Sequence, residues 1–409
     1  MYMISFDNTE LAYAYKSNKE LKRAHFLFSM MGSPFILKMA IKLTPLAINW
    51  HLPFTKTALR STIFKQFIGG ETLEETAPVA EKLGRFHVQT ILDYGVEGGN
   101  NGEKGYDQAT DEFIKVINYA ATQENIPFMS IKITGIVRSG LLQKLDTLMH
   151  QQNDTLMKNY EAAIQKLPNE EKEEWQRVLN RFIRICETAK AKDIGVLVDA
   201  EESWIQDPVD AMTMMMMDVY NKEKALVFNT LQLYRHDRYE FLKKSYEAAE
   251  QRNFILAVKL VRGAYMEKER ERALELGYAS PIQPDKQSCD ADYDASVDYC
   301  IAHVNRICMI LASHNELSNL RCVEYLKENK IPFDHKHVHF SQLYGMSDNI
   351  TFNLAHAGLN VSKYLPFGPI KDVVPYLMRR AQENSSVSGQ TGRELSTIEK
   401  ELKRRNQKN

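Results

Sequence analysis

Two adjacent arginines on one helical face are a device for holding a small carboxylate. Arg379 and Arg380 follow Tyr376 and precede Glu383, so the four residues stand at i, i+3, i+4 and i+7, neighbours on one face of a helix. The paired guanidinium forks could clamp a carboxylate with several charge-assisted hydrogen bonds. An Arg380–Glu383 pair on a solvated face is the plainer reading, and spacing alone does not separate the two. Upstream, Lys132 sits inside Ser-Ile-Lys-Ile-Thr, Asp199 opens Asp-Ala-Glu-Glu, and Gln232 closes Asn-Thr-Leu-Gln. Lys259 and Arg262 lie in Lys-Leu-Val-Arg-Gly-Ala-Tyr, which runs on through Gly263 and Ala264 to Tyr265. Ser313 and His314 end another apolar run, and Leu343 and Tyr364 end two more. Amides and charges at the ends of apolar segments need partners or a ligand, because burying them alone is costly. Each one singly is explained as well by a loop start or a helix cap.

The elements that must position these groups read as strands alternating with helices. Eight short Val-, Ile-, Leu- and Phe-rich runs are predicted at about 88–94, 128–134, 195–199, 226–231, 255–261, 307–312, 338–342 and 360–365. Continuous apolar runs suit parallel strands covered on both faces, and eight successive βα units suit a closed (βα)8 barrel. In that α/β architecture the polar groups gather where barrel active sites lie, at the C-terminal ends of the strands. The spacing further predicts a helical N-terminal region over 1–85 and a barrel over 86–390. A helical insertion at about 141–193 and a polar C-terminal tail over 391–409 complete the expected organisation.

Other features limit the function classes. The 409 residues carry a net charge of −1, which argues against a nucleic-acid partner. The five cysteines are odd in number and form no C-x-x-C pair. That favours a reducing compartment over a disulfide or zinc framework. His335, His337 and His339 alternate along one strand and could hold a metal, but they occupy the strand's start, so no metal is expected. Met212 and Met214 to Met217 read as core helix. No G-x-G-x-x-G loop occurs, so no dinucleotide is held in a Rossmann unit. No secretory signal is read, because the N-terminus is polar and Asp7 and Glu10 interrupt it early, and no membrane span, because the apolar stretch His25–Phe54 is broken by charges and prolines. That stretch is read as helices packed on the main domain, with a surface touching a membrane as the second reading. The expected location is cytoplasmic, with membrane contact at most peripheral.

Taken together, the strand-five run Lys259–Tyr265 resembles the signature of proline dehydrogenases. Tyr364-x-Pro-x-Gly followed by Tyr376-Leu-Met-Arg-Arg-Ala-Gln-Glu-Asn is similar to their strand-eight and helix-eight signature. Val198–Glu201, Asn229–Gln232, Ser313–Asn315, Lys132 and the Asp93–Glu97 segment fall in the family's order. The resemblance implies FAD-dependent oxidation of L-proline to Δ1-pyrroline-5-carboxylate, with electrons passed to a membrane quinone. It implies that Arg379, Arg380 and Lys132 hold the proline carboxylate. Tyr364, Tyr376 and Leu343 would enclose the ring, with Asp199 and Tyr265 nearby, and Glu97 would gate the site through Arg379. Gln232 and Lys259 would face the flavin, and Arg262, Gly263 and Ala264 the phosphates. Ser313 and His314 would meet the adenosine, with Glu383 also on the cofactor side.

Two details qualify the resemblance. Bacterial bifunctional members carry Arg where this chain has Lys259, and Lys where it has Arg262; a lysine offers a charge without a bidentate fork. No aldehyde-dehydrogenase region follows the matched part, which implies a monofunctional member. Tyr364 is the residue expected of proline-specific members, the hydroxyproline enzymes carrying a smaller one. A hydroxyproline dehydrogenase of the same fold and a metal-dependent barrel hydrolase stay open beside the proline reading. So does a catalytically silent binding protein.

Overall fold

The computed structural model describes residues 4–33, 39, 57, 59–95, 102–386 and 390–407, with 381–386 and 390 in backbone only. Its N-terminal part forms helices α1 (Thr9–Tyr13), α2 (Asn18–Met31) and α3 (Ala77–Gly84). Strands β1 (Gln89–Tyr94) and β2 (Phe128–Ile131) are linked through α4 (Gly102–Ala120). Between β2 and β3 (Gly195–Val198) lie α5 (Ser139–Met149), α6 (Leu156–Gln165) and α7 (Asn169–Lys192). Then come α8 (Gln206–Tyr220), β4 (Val227–Gln232), α9 (Arg238–Gln251) and β5 (Leu256–Val261), followed by α10 (Met266–Leu276) and α11 (Lys286–Ala302). The remainder is β6 (Ile307–Ala312), α12 (Glu316–Glu328), β7 (Val338–Leu343), α13 (Asp348–His356), β8 (Val361–Phe367), α14 (Ile370–Ser386) and α15 (Gln390–Gln407).

The eight strands form one closed parallel barrel in the order β1 to β8, as the alternation of apolar runs and helices required. Strand bounds lie within three residues of those expected. The largest shift is at β2, where the extended backbone stops at Ile131 and a 3₁₀ turn, Ile133–Gly135, takes over. Lys132 is therefore the first residue past the strand.

Contacts divide the chain into two compact units. The first comprises residues 1–95, 314–320 and 340–409. In it β8 pairs with β1 from Gln89↔Ser362 to Tyr94↔Phe367, and with β7 up to Leu343↔Tyr364. Its apolar core joins α2, α14 and α15 through Leu21, Phe28, Phe67, Val373, Leu377 and Ile398. A capping box between Ser17 and Glu20 starts α2, satisfying two orphan helix donors at once. The second unit comprises 96–313 and 321–339, with β2 to β6 paired in order. Its strands are nearly continuously buried, as expected of parallel strands covered on both faces. Helix α8 buries Met212, Met214, Met216 and Met217, the core role expected of that cluster. The five cysteines are free and buried.

Among the described residues no helix is long and apolar enough to cross a membrane. Most of the apolar stretch His25–Phe54 lies outside the described residues.

Candidate active site at the strand ends

Side chains alternate across a strand, and in the second unit this parity sorts structural from site residues. Asn229 on β4 points to the helix layer, where its amide donates to Asp210 of α8 (2.9 Å). Asp210 is held in turn by Arg238 (2.7 Å) and Gln206 (2.8 Å). Thr230 therefore faces the other way, and Lys259 stands in register with it on β5. On that face Lys259 Nζ hydrogen-bonds Asp199, which also accepts from Ser130 Oγ (2.5 Å) and has Lys132 Nζ 3.5 Å away. Three residues picked from the sequence, Lys132, Asp199 and Lys259, thus meet in one buried cluster. Burial alone would push the Asp199 carboxyl up, but Lys259 and then Lys132 outweigh it and hold it well below the usual carboxylate range. The cluster joins two lysines to one aspartate. Next to it the buried Thr230 hydroxyl has no hydrogen-bond partner among the described residues. Gln232 lies buried two residues on. A buried lysine, an unmatched hydroxyl and a buried amide on one side of the strands fit a polar, electron-accepting ring such as a flavin.

Two residues past Asp199, Glu201 behaves oppositely. Its carboxyl takes hydrogen bonds from Thr134 Oγ1 (2.8 and 2.9 Å), and Lys132 acts on it only through space. Burial pushes this carboxyl up to about 7 against the pull of Lys132.

The turn after β5 holds the residues expected near phosphates. Arg262 Nε donates to Asp290 (2.7 Å) and Nη1 to Ser313 Oγ (2.7 Å), while the guanidinium lies 4.2 Å from the Tyr293 ring centre. Arg262 and Ser313 are therefore brought together. Gly263 follows with φ +135°, and a Cβ there would sit 2.5 Å from the Tyr234 ring, so only glycine fits. Ala264 leads to Tyr265, the N-cap of α10.

In the first unit, Leu343 and Tyr364 pair across β7 and β8. The chain then turns through Gly368 (φ +142°) into α14, with Pro369 just before its first residue. Tyr376 and Arg380 are buried on this helix, the guanidinium 5.2 Å from the Tyr376 ring centre; Arg379 stands beside them, half-buried. His314, where β6 gives way to α12, pairs its Nδ1 with Ser347 Oγ (2.9 Å). Glu97 lies outside the described residues. Glu383 falls in α14 where only the backbone is described.

The strand-seven histidines have other work. His337 Nδ1 donates to the Val304 carbonyl (2.6 Å) and His339 Nε2 to that of Lys336 (3.1 Å). Sequence reasoning passed over a second buried ion cluster, on β8 and α13. Lys363 Nζ hydrogen-bonds the Met346 carbonyl and lies 3.0 Å from Asp348, which also takes Lys16 (2.8 Å) and the Tyr15 hydroxyl (2.8 Å). The available signal was parity, because Lys363 precedes Tyr364 and must face the helices if Tyr364 faces away from them.

The model of the proline dehydrogenase family matches residues 77–393. Proline dehydrogenase 1, mitochondrial, of Dictyostelium discoideum is 33% identical over 376 residues, covering 85% of this chain and 65% of that protein. The hydroxyproline dehydrogenase of Xenopus laevis is 32% identical over 411 residues, covering 95% of this chain and 88% of the relative. The carbapenem antibiotics biosynthesis protein CarD of Pectobacterium carotovorum is 34% identical, covering 85% of each chain. Among solved structures, proline utilization A from Bdellovibrio bacteriovorus, inactivated by N-propargylglycine, matches with a TM-score of 0.69 at 21% identity. That match covers 94% of this chain but 37% of the other, and it speaks to the fold. The chain spans under two thirds of the Dictyostelium relative and well under half of the Bdellovibrio protein. With a family match over residues 77–393 and a relative at 33% identity, the chain belongs to the proline dehydrogenase family.

Proposed function

We propose that this protein oxidises L-proline to Δ1-pyrroline-5-carboxylate, with FAD as the bound hydride acceptor. The single observation that carries the reading is the buried Lys132–Asp199–Lys259 cluster at the strand ends, beside the unmatched Thr230 hydroxyl. When bound, FAD supplies the two-electron acceptor that no amino-acid side chain provides. Lys259 and Gln232 hold its ring system, and Lys259 adds a positive charge where electron density arrives. Arg262, Gly263 and Ala264 take the phosphates, with Tyr265 close by. Ser313 and His314 take the adenosine, and Glu383 assists on the cofactor side.

Lys132, Arg379 and Arg380 bind the proline carboxylate. Tyr364, Tyr376 and Leu343 enclose the ring, and Glu97 gates the entry through Arg379. The amine must lose its proton before C5 gives up hydride, because the nitrogen lone pair drives the transfer. Asp199 is already committed as an anion between two lysines, so its role is to set their positions. A flavin held here would need an electron acceptor for turnover, which we take to be a quinone reached by peripheral membrane contact.

Hydroxyproline is the second reading, favoured by the coverage of the Xenopus relative. Tyr364 favours proline, because a 4-hydroxyl packed against its ring loses water without an assured partner, a cost of about 1–3 kcal/mol. The test is an absorption spectrum of the purified protein after FAD addition, followed by anaerobic titration with L-proline and trans-4-hydroxy-L-proline. Bleaching of a flavin spectrum by proline, with kcat/KM at least about tenfold above that for hydroxyproline, is expected. Absence of bound flavin overturns the reading, and equal use of both substrates transfers it to hydroxyproline.

A further inference from the structure

Helix α15 begins near where the family match ends, at residue 393. It is fastened to the N-terminal helices. Thr397 Oγ1 pairs with the Tyr13 hydroxyl (2.7 Å), Thr9 Oγ1 donates to the buried Glu401 (3.1 Å), and Arg405 donates to the carbonyls of Tyr13 and Lys16 (2.8 and 2.9 Å). Its first turn reaches two strand-end segments at once. Arg393 Nη2 donates to the His314 carbonyl (2.7 Å). The neighbouring Glu394, buried to 3% exposure, accepts the Ser347 amide (2.6 Å). Ser347 is fully buried and left-handed, with φ 50° and ψ 44°, a conformation that persists only where surroundings impose it. From there Ser347 Oγ meets His314 Nδ1 at 2.9 Å. Both the backbone and the ring of His314 are thus tied, directly or through one residue, to consecutive side chains of α15.

We infer that the first turn of α15 positions His314 for the cofactor, with Arg393 and Glu394 as positioning residues that set how tightly FAD is retained. The inference rests on His314 meeting the adenosine end of FAD, as proposed above. Glu394 touches neither substrate nor cofactor; it fixes the strained Ser347 backbone, whose hydroxyl orients the imidazole. Arg393 fixes the carbonyl of the same histidine, and its guanidinium is steadied by Glu316 at 3.5 Å.

The test is FAD dissociation from the purified holoprotein, followed by flavin fluorescence. It compares wild type, Glu394→Ala, Glu394→Gln, Ser347→Ala, His314→Ala and the His314→Ala/Glu394→Ala double variant. Glu394→Ala is expected to weaken FAD retention about tenfold, the scale of one buried hydrogen bond. Glu394→Gln should restore most of it, because the amide oxygen still accepts the Ser347 N–H. In the His314→Ala background the Glu394 substitution should add no further loss. Unchanged retention in Glu394→Ala, or losses that add fully in the double variant, overturns the inference. If Glu394→Ala does not fold, Ser347→Ala decides: it removes only the hydroxyl link, and FAD retention equal to wild type overturns the inference. A wild type that binds no FAD strikes instead at the reading of the site.

Discussion

Two clusters in this molecule share one set of residue types and differ in what surrounds them. At the ends of β2, β3 and β5, Asp199 stands between Lys132 and Lys259, with Glu201 close by. On β8 and α13, Asp348 stands between Lys16 and Lys363, with Glu394 of α15 bonded to the amide of the adjacent Ser347. In both, two lysines outweigh burial and hold the aspartate low, Asp348 down to about 2. In both, burial raises the glutamate. Yet Lys363 is 0% exposed and bonds the Met346 carbonyl, and Asp348 is closed off by the Tyr15 hydroxyl. Asp199 keeps 13% of its surface exposed. The cause is strand parity: Lys363 faces the helix layer and Lys259 faces away from it. The same chemistry is architecture on one side of a strand and a candidate site on the other.

The largest expected effect separates the two lysines on strands. Lys363→Met leaves Asp348 fully buried with one cation, Lys16, and the Tyr15 hydroxyl, and removes the lysine donor from the Met346 carbonyl. Breaking a buried pair in this way costs about 3–5 kcal/mol, read by denaturant unfolding of the cofactor-free protein. Lys259→Met should cost distinctly less, because Asp199 keeps 13% of its surface exposed where Asp348 keeps 2%, so solvent can compensate the lost cation; its main effect should be slower flavin reduction by proline. Equal stability losses would break the distinction between the clusters.

Parity also explains what was legible. Each strand was readable because buried parallel strands are apolar throughout, so a lysine within one stands out, as Lys259 does. Lys363 carries the same local signal, but its partner Asp348 follows a different strand, and pairing across elements is invisible in sequence. Glu201 was visible within its motif, whereas the burial that raises its carboxyl, against the hydrogen bonds from Thr134, comes from packing between elements that the sequence does not display. Residues 391–409 read as a polar tail; Leu395, Ile398 and Leu402 give a stripe at helical spacing, but its partners Tyr13 and Phe28 lie some 380 residues upstream. Of the site residues proposed from the sequence, the structure groups Lys132 with Asp199 and Lys259, Arg262 with Ser313, and Tyr376 with Arg380.

The next effect concerns the glutamates and pH. Burial lifts the Glu201 carboxyl from its ordinary 4.5 to about 7 in the fold, so between those values the folded state keeps a proton that the unfolded chain releases. Stability contributed by that proton is full below the unfolded value, falls as pH rises through this window, and is gone above the folded value. The decline is about 3 kcal/mol if the shift is fully expressed. Glu201→Gln should flatten it, making the variant more stable than wild type above neutral pH and little different near pH 5 (about that value, below which the linkage fades). Glu394→Gln should change stability in the same direction. If Glu201→Gln leaves the pH slope of unfolding intact, the glutamate is ionised in the fold and the likeness between the clusters ends there.

The smallest effect compares the outer lysines, Lys16 and Lys132, which have the same 10% exposure. Lys16 lies 2.8 Å from Asp348 and Lys132 3.5 Å from Asp199. A charge-assisted hydrogen bond at the shorter distance contributes about 1.5–3 kcal/mol, so Lys16→Met should lower stability by roughly that amount. The longer contact is worth less, and Lys132→Met should cost less than Lys16→Met. The order reverses for ligand. Lys16 is engaged with an aspartate on the helix side of its cluster, so Lys16→Met should leave the KM for proline unchanged. Lys132 is the first residue past β2, on the strand-end side, and is proposed to share the proline carboxylate; its loss should raise KM about tenfold, one such contact. Unfolding curves and steady-state kinetics on the two variants give four numbers. A stability loss at Lys132 exceeding that at Lys16, with KM unmoved, would make the Asp199 cluster architecture as well and shift the site towards the arginines of α14.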